Sequence, residues 1–189
     1  MGAFKPLLPF GEKTVIETCI DYLRAGGTEN IIVVVGHRAD EIKARLRTSS
    51  VEFTFNPESS SEMGVSIACG VRAIPAEAKA TVIALVDHPA IPGRIVATLL
   101  DEWSKGAHLV IPTWNGRGGH PVLVDLSLRQ ELLSLDPARG LRGLFDLHQD
   151  EVRRVPVDSP YIARDIDTWD DYRALYEDLF GAEPPQSGP

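Results

Sequence analysis

The chain is poor in several features that would have fixed its class at once. It has two cysteines in 189 residues, Cys19 and Cys69, and they show no metal-ligand spacing. Both fall on expected helices, so they read as reduced, buried small hydrophobes, as in a cytoplasmic protein. No apolar run reaches the roughly 18 residues of a membrane span, and no leader of charged then apolar residues is evident. The expectation is a chain that neither spans nor crosses a membrane by these routes. Basic residues are the minority: 19 Lys and Arg against 27 Asp and Glu give a formal net charge of −8. Nucleic acid and anionic membranes are not attracted to such a surface overall, although a local basic pocket for one nucleotide is compatible with it. An opening strand with a glycine-rich turn is also missing. Met1-Gly2-Ala3-Phe4-Lys5-Pro6-Leu7-Leu8-Pro9-Phe10-Gly11 reads as a loop leading straight into a helix. Nucleotide-binding α/β sheets usually open with a strand and a glycine turn that cradles phosphate. On physical grounds the sheet lacks its first strand.

What is present reads as one globular domain over residues 1–180, with a polar tail rich in Pro and Gly, 181–189, expected to be disordered. Hydrophobic content of 43% and charged content of 24% are ordinary for such a domain. Helices are expected over Thr14–Arg24, where Thr14 and Glu17 have capping-box form, and over about 40–46, 64–73 and 93–103. Strands are expected at 31–35, 51–55 and 81–86. The rhythm then changes: 109–113 and 121–124 flank a glycine-rich segment that reads as a long hairpin or flap. Two helices, about 128–135 and 141–148, a strand at 152–157, and a helix capped by Thr168 and running to Phe180 complete the chain. Strand–helix alternation with an antiparallel excursion implies an α/β fold of three layers around a mainly parallel sheet.

The most informative stretch is Thr81-Val82-Ile83-Ala84-Leu85-Val86, which stops at Asp87-His88-Pro89. A run rich in β-branched residues suits a strand buried on both faces, expected near the middle of the sheet. Asp87 then lies at the strand's carboxyl end, where open α/β sheets bind ligands, and Pro89 bars the strand from continuing. Asp165-Ile166-Asp167-Thr168 supplies a second acidic cluster before the last helix. Two carboxylates converging at a sheet rim make a site for a hard divalent cation and a phosphate-bearing ligand.

The residues carry a resemblance that extends over almost the whole chain. Met1 to Leu8 resembles the end of the nucleotide-binding signature of the molybdenum-cofactor nucleotidyltransferases, whose glycine-rich beginning is absent here. Val86-Asp87-His88-Pro89 is similar to that family's acidic strand end, Gly119-His120-Pro121-Val122-Leu123 to its Gly-His-Pro-Val-Leu segment, and Asp165–Tyr172 to its Asp-Ile-Asp-Thr-Pro-x-Asp-Tyr. Asn56-Pro57 followed by Glu62-Met63-Gly64-Val65-Ser66 resembles the cytidylyl branch. The resemblance implies a Rossmann-like fold of the nucleotide-diphospho-sugar transferase type. It also implies transfer of CMP from CTP to molybdopterin cofactor with release of pyrophosphate, and a molybdoenzyme as recipient of the product. In that reading Asp87 and Asp167 hold Mg²⁺, Lys5 pairs with the triphosphate, Gly64 and Ser66 bind the nucleotide, and His120 and Pro121 lie beside the acceptor phosphate.

Plainer roles stay open at each position. Asp87 could orient the following helix, Asp167 could serve the helix dipole beside Thr168, and Lys5 could be a surface lysine. Ser66 could be only a cap, and His120 a structural flap residue. A sibling transferase for GTP or another phosphorylated substrate, or a non-catalytic nucleotide-binding homologue, fits the same motifs.

Overall fold

Helices and strands alternate through the computed structural model, which describes residues 4–58, 63–136 and 138–185. A 3₁₀ turn, Lys5–Leu7, leads into a small antiparallel hairpin of β1 (Pro9–Phe10) and β2 (Lys13–Thr14). Helix α1 (Val15–Ala25) starts where the sequence expects it. Glu17 Oε2 accepts from the Thr14 backbone N–H at 2.8 Å, closing the capping box, and Ile16, Cys19 and Ile20 form its buried stripe. Then follow β3 (Ile32–Val35), α2 (Ala39–Arg45) and β4 (Glu52–Phe55), with β3 and β4 paired in parallel. Helix α3 (Met63–Ala73) leads to β5 (Ala80–Ile83) and α4 (Gly93–Ser104). Next come β6 (Leu109–Trp114), β7 (Arg117–Gly118) and β8 (Val122–Asp125), then α5 (Arg129–Leu133), α6 (Gly140–Leu147), β9 (Val152–Pro156) and α7 (Trp169–Phe180).

The larger hydrogen-bonded sheet runs β5-β8-β6, with β9 parallel to β6 and β7 folded back on its end. β8 is antiparallel to both β5 and β6, so β5, β6 and β9 share one direction, and with the parallel β3–β4 pair the long strands run mainly parallel. Alternation along the strands divides the core between two helical layers. Leu109, Val122 and Val124 pack with Ile67 and Val71 of α3, and with Leu132 and Leu144, on one face. Val110 and Leu123 pack with Leu99 of α4 on the other. Among the described residues, no helix is long and apolar enough to cross a membrane.

Three details differ from the sequence reading. The run 81–86 is paired only over Ala80–Ile83, and β5 stands at the margin of its sheet instead of near the middle. Among the described residues no strand pairs with its second edge, so Ala84–Val86 have no ladder to join there. That edge faces β3 across a cleft of about 1040 Å³, and both strands are only partly buried despite their apolar runs. Val51, Phe53 and Phe55 alternate with polar residues as in a half-buried strand, yet Phe55 is 56% exposed. The segment read as a long hairpin or flap is a hairpin, with a turn tighter than expected. Trp114 pairs with Arg117 across Asn115 (φ 49°) and Gly116 (φ 77°), the left-handed pair that a two-residue turn of matching twist demands. Glu62, Met1, Gly2 and Ala3 of the motifs, and 186–189 of the tail, lie outside the described residues.

Candidate active site

Asp87 sits beyond the carboxyl end of β5, and a backbone bond fixes its surroundings. The Asp87 carbonyl accepts from the Ile166 N–H at 3.0 Å, which places Asp167 in the same neighbourhood. Ile166 is fully buried and anchors this strap in the core. Lys5 arrives from the 3₁₀ turn, held by the buried Leu8 and by the bond from Val15 N–H to the Leu8 carbonyl. Its Nζ lies 2.7 Å from Asp167 Oδ1. The structure thus gathers Lys5, Asp87 and Asp167. Asp171 closes the capping box with Thr168, and Asp170 pairs with Arg173, so both serve the start of α7.

Asp87 Oδ1 is buried and has no hydrogen-bond partner; His88 Nε2 is 3.8 Å away, beyond hydrogen-bond reach. His88 is itself buried, and its ring centroid lies 5.4 Å from that of His120. The His120 ring bonds the Ile83 carbonyl, while its Nδ1 has no partner. Burial, reinforced by the neighbouring His88, pushes His120 down to about 4, so at neutral pH its ring is uncharged. The backbone here is drawn tight: His120 N–H donates to the Ile162 carbonyl at 2.8 Å. A Cβ at Gly119 would stand 2.2 Å from that same oxygen, so only glycine lets the two backbones approach. Pro121 follows, buried.

Gly64 and Ser66 belong to the first turn of α3, at a second corner of the cleft. Ser66 Oγ accepts from Asn56 Nδ2 at 3.0 Å, and the Asn56 N–H donates to the Val35 carbonyl at 2.8 Å. Asn56 therefore ties the ends of β3 and β4 to the start of α3. The His88–His120 pairing and the Asn56 tie were not read from sequence. The sequence carries no local signal for the first, which follows from the antiparallel pairing of β5 with β8 that ends at Ile83 opposite Val122 and brings the segments 84–88 and 120–121 to one end of the sheet.

The profile of the MobA-like NTP transferase domain matches residues 1–153, and the chain belongs to that family. Among solved structures it is similar to the manganese complex of Rv0371c from Mycobacterium tuberculosis H37Rv. That likeness has a TM-score of 0.77 at 25% identity and covers 92% of this chain and 91% of that one. It is 29% identical over 136 residues to nicotine blue oxidoreductase of Paenarthrobacter nicotinovorans, covering 69% of this chain. It is 36% identical over 97 residues, half of this chain, to the bifunctional IPC transferase and DIPP synthase of Rubrobacter xylanophilus. The chain spans 66% and 22% of the lengths of these two curated relatives.

Proposed function

We propose that this protein is a nucleotidyltransferase that moves CMP from CTP to molybdopterin cofactor, releasing pyrophosphate. The observation that carries the reading is the junction at the rim of β5: Asp87 has a buried, unpartnered carboxylate oxygen, and its carbonyl is bonded by Ile166, the residue before the Asp167 that pairs with Lys5. The terminal phosphate of the pterin attacks the α-phosphate of CTP in line; the bond from that phosphorus to the bridging oxygen breaks, and pyrophosphate leaves. Such transfer needs positioning and charge neutralisation more than covalent help.

Lys5 exchanges Asp167 for the triphosphate and steadies the leaving group as a flexible point charge. Gly64 and Ser66 offer the nucleotide the amino end of an eleven-residue helix. His120, neutral and buried, and Pro121 shape the wall on the acceptor side. The oxygen donors fit a hard cation: Asp87 has an oxygen without a partner, and Asp167 is 64% exposed. Mg²⁺ is commonly held by one or two carboxylates with substrate oxygens and water, the donors that Asp87 and Asp167 can offer. When bound there by Asp87 and Asp167, Mg²⁺ would neutralise phosphate charge. The similar Rv0371c structure, solved with manganese, supports a divalent ion in such a frame.

The choice of cytidine rests on Glu62-Met63-Gly64-Val65-Ser66 and its resemblance to the cytidylyl branch. Calorimetric titration of CTP and GTP, each with Mg²⁺, tests it, using the chain extended upstream by a strand and glycine-rich turn. Tighter binding of CTP is expected. Equal binding, or preference for GTP, would overturn the assignment and favour a sibling transferase.

A further inference from the structure

A second concavity, of about 540 Å³, opens on the same rim as Asp87, and none of its residues belongs to the Lys5–Asp87–Asp167 junction. Thr113, Trp114 and Asn115 at the end of β6 line it, with Pro156, Val157 and Asp158 at the end of β9. Its place follows from the ladders. β5, β6 and β9 run one way, so their carboxyl ends share one rim, the rim at which open α/β sheets bind ligands. Ile83 stands opposite Val122 and Val110 opposite Leu123. Counting on from these pairs sets Trp114 level with Val86, the residue before Asp87. β8 runs between β5 and β6, so Trp114 stands about 10 Å along the rim from Asp87, at roughly 4.8 Å per strand. His120, just ahead of β8, comes between them.

The concavity is built to keep its shape. The Val157 N–H donates to the Thr113 carbonyl at 2.8 Å, which carries the β6–β9 ladder on past Pro156. Trp114 packs with the buried Ile91, Ile95 and Ile162, and the Asn115–Gly116 turn closes the hairpin beside it. Arg94 Nη2 donates to the Asp158 backbone carbonyl at 3.3 Å, so the backbone is pinned while the side chain is left over. Among the described residues no donor or cation is bonded to the Asp158 carboxylate. The neighbouring Ser159 is buried with its hydroxyl unpartnered.

These side chains select a ligand by chemistry. No lining residue is basic and one is acidic, so the concavity offers phosphate no cation. An indole beside a carboxylate suits a flat ring whose edge carries N–H donors. The ring stacks on Trp114, and two parallel N–H bonds reach one carboxylate. A 2-amino-4-oxopyrimidine edge has that pair, a ring N–H beside an amino group, and a pterin carries it. Cytosine does not: its amino group sits beside a ring-nitrogen lone pair that would face the carboxylate. We propose that this concavity seats the pterin ring of the acceptor, with Trp114 as its platform and Asp158 as the residue that selects it. The proposal rests on the acceptor reading above. It gives the two ends of the acceptor to separate residues, the phosphate to the His120 side and the heterocycle to Trp114.

The test titrates the full chain with free pterin and with lumazine, which has a carbonyl in place of the 2-amino group. Ligand fluorescence is followed without nucleotide or metal. Pterin is expected to bind at least tenfold more tightly than lumazine, because lumazine turns an oxygen towards Asp158. Asp158→Asn, a change at an exposed side chain, should weaken pterin about tenfold and erase the preference. Trp114→Phe should weaken both ligands alike, and it keeps a ring in the core contact should Trp114→Ala fail to fold. This pattern in a chain that prefers GTP to CTP, or takes neither, would uphold the seat and remove only the cytidine assignment. No pterin binding, equal binding of pterin and lumazine, or a pterin affinity that Asp158→Asn leaves unchanged would overturn the proposal. So would binding of guanosine through Asp158 in place of pterin, since its base carries the same edge and the seat would then belong to a nucleotide.

Discussion

Lowering the pH from 7 to 5 should destabilise this protein through His120. Burial among Ile83, His88 and Ile162 pushes its ring to about 4 from the ordinary 6.5, with the nearby His88 adding to the effect and the bond to the Ile83 carbonyl opposing it. The unfolded chain takes up the proton near 6.5 and the native one near 4. Between these values the unfolded state holds more protons, so stability rises with pH. The contribution is whole above about pH 6.5 and is lost as pH falls towards 4. Its full span is on the order of 3 kcal/mol, at about 1.4 kcal/mol per unit, and roughly 2 kcal/mol of it is gone by pH 5. For a domain of this size that is a drop in Tm of about 4–8 °C. His120→Gln keeps a donor for the Ile83 carbonyl but cannot take a proton. Scanning calorimetry at both pH values should therefore show wild type losing about 4–8 °C more than the variant. An equal loss in the two proteins would refute the argument, since the destabilisation would then come from other groups.

Gly119→Ala should destabilise by about 1–3 kcal/mol or more, because its Cβ would press on the Ile162 carbonyl; denaturant melts read the change directly. Thr168→Ala removes the cap that holds the Asp171 N–H and should cost about 1 kcal/mol, seen as a Tm lower by roughly 2–4 °C. Asp87→Asn should abolish most CTP-dependent pyrophosphate release, read by a coupled pyrophosphate assay; release near the wild-type rate would contradict the role given to that carboxylate.

Much of this arrangement was legible in the sequence because local signals carry it. Thr14 with Glu17 and Thr168 with Asp171 announce helix starts, and β-branched runs announce buried strands. What was not legible is set by partners. A run of residues does not say how many of them will find a ladder, so β5 ends at Ile83 although its apolar run reaches Val86. Alternation gave Phe55 a place on a half-buried strand; its exposure depends on what packs over the end of β4. Asp87 and Asp167 could be paired as candidates by their positions before and after elements. The contact joining them is a backbone bond from Ile166, a residue that reads in sequence only as one more hydrophobe.

Helix α7 lies beyond residue 153, where the match to the MobA-like family profile ends, yet it grips the other end of the chain. The Tyr172 hydroxyl donates to the Pro9 carbonyl, and the Phe10 ring stands edge-on to Phe180 at 5.2 Å between centroids. Tyr172 and Leu175 share one buried cluster with Leu8, Phe10 and Val15. The stretch that the family profile matches is thus shorter than the stretch that packs together. A recombination between relatives at residue 153 would sever the brace behind Lys5, so 154–180 must be inherited together with 1–153 for that lysine to keep its place.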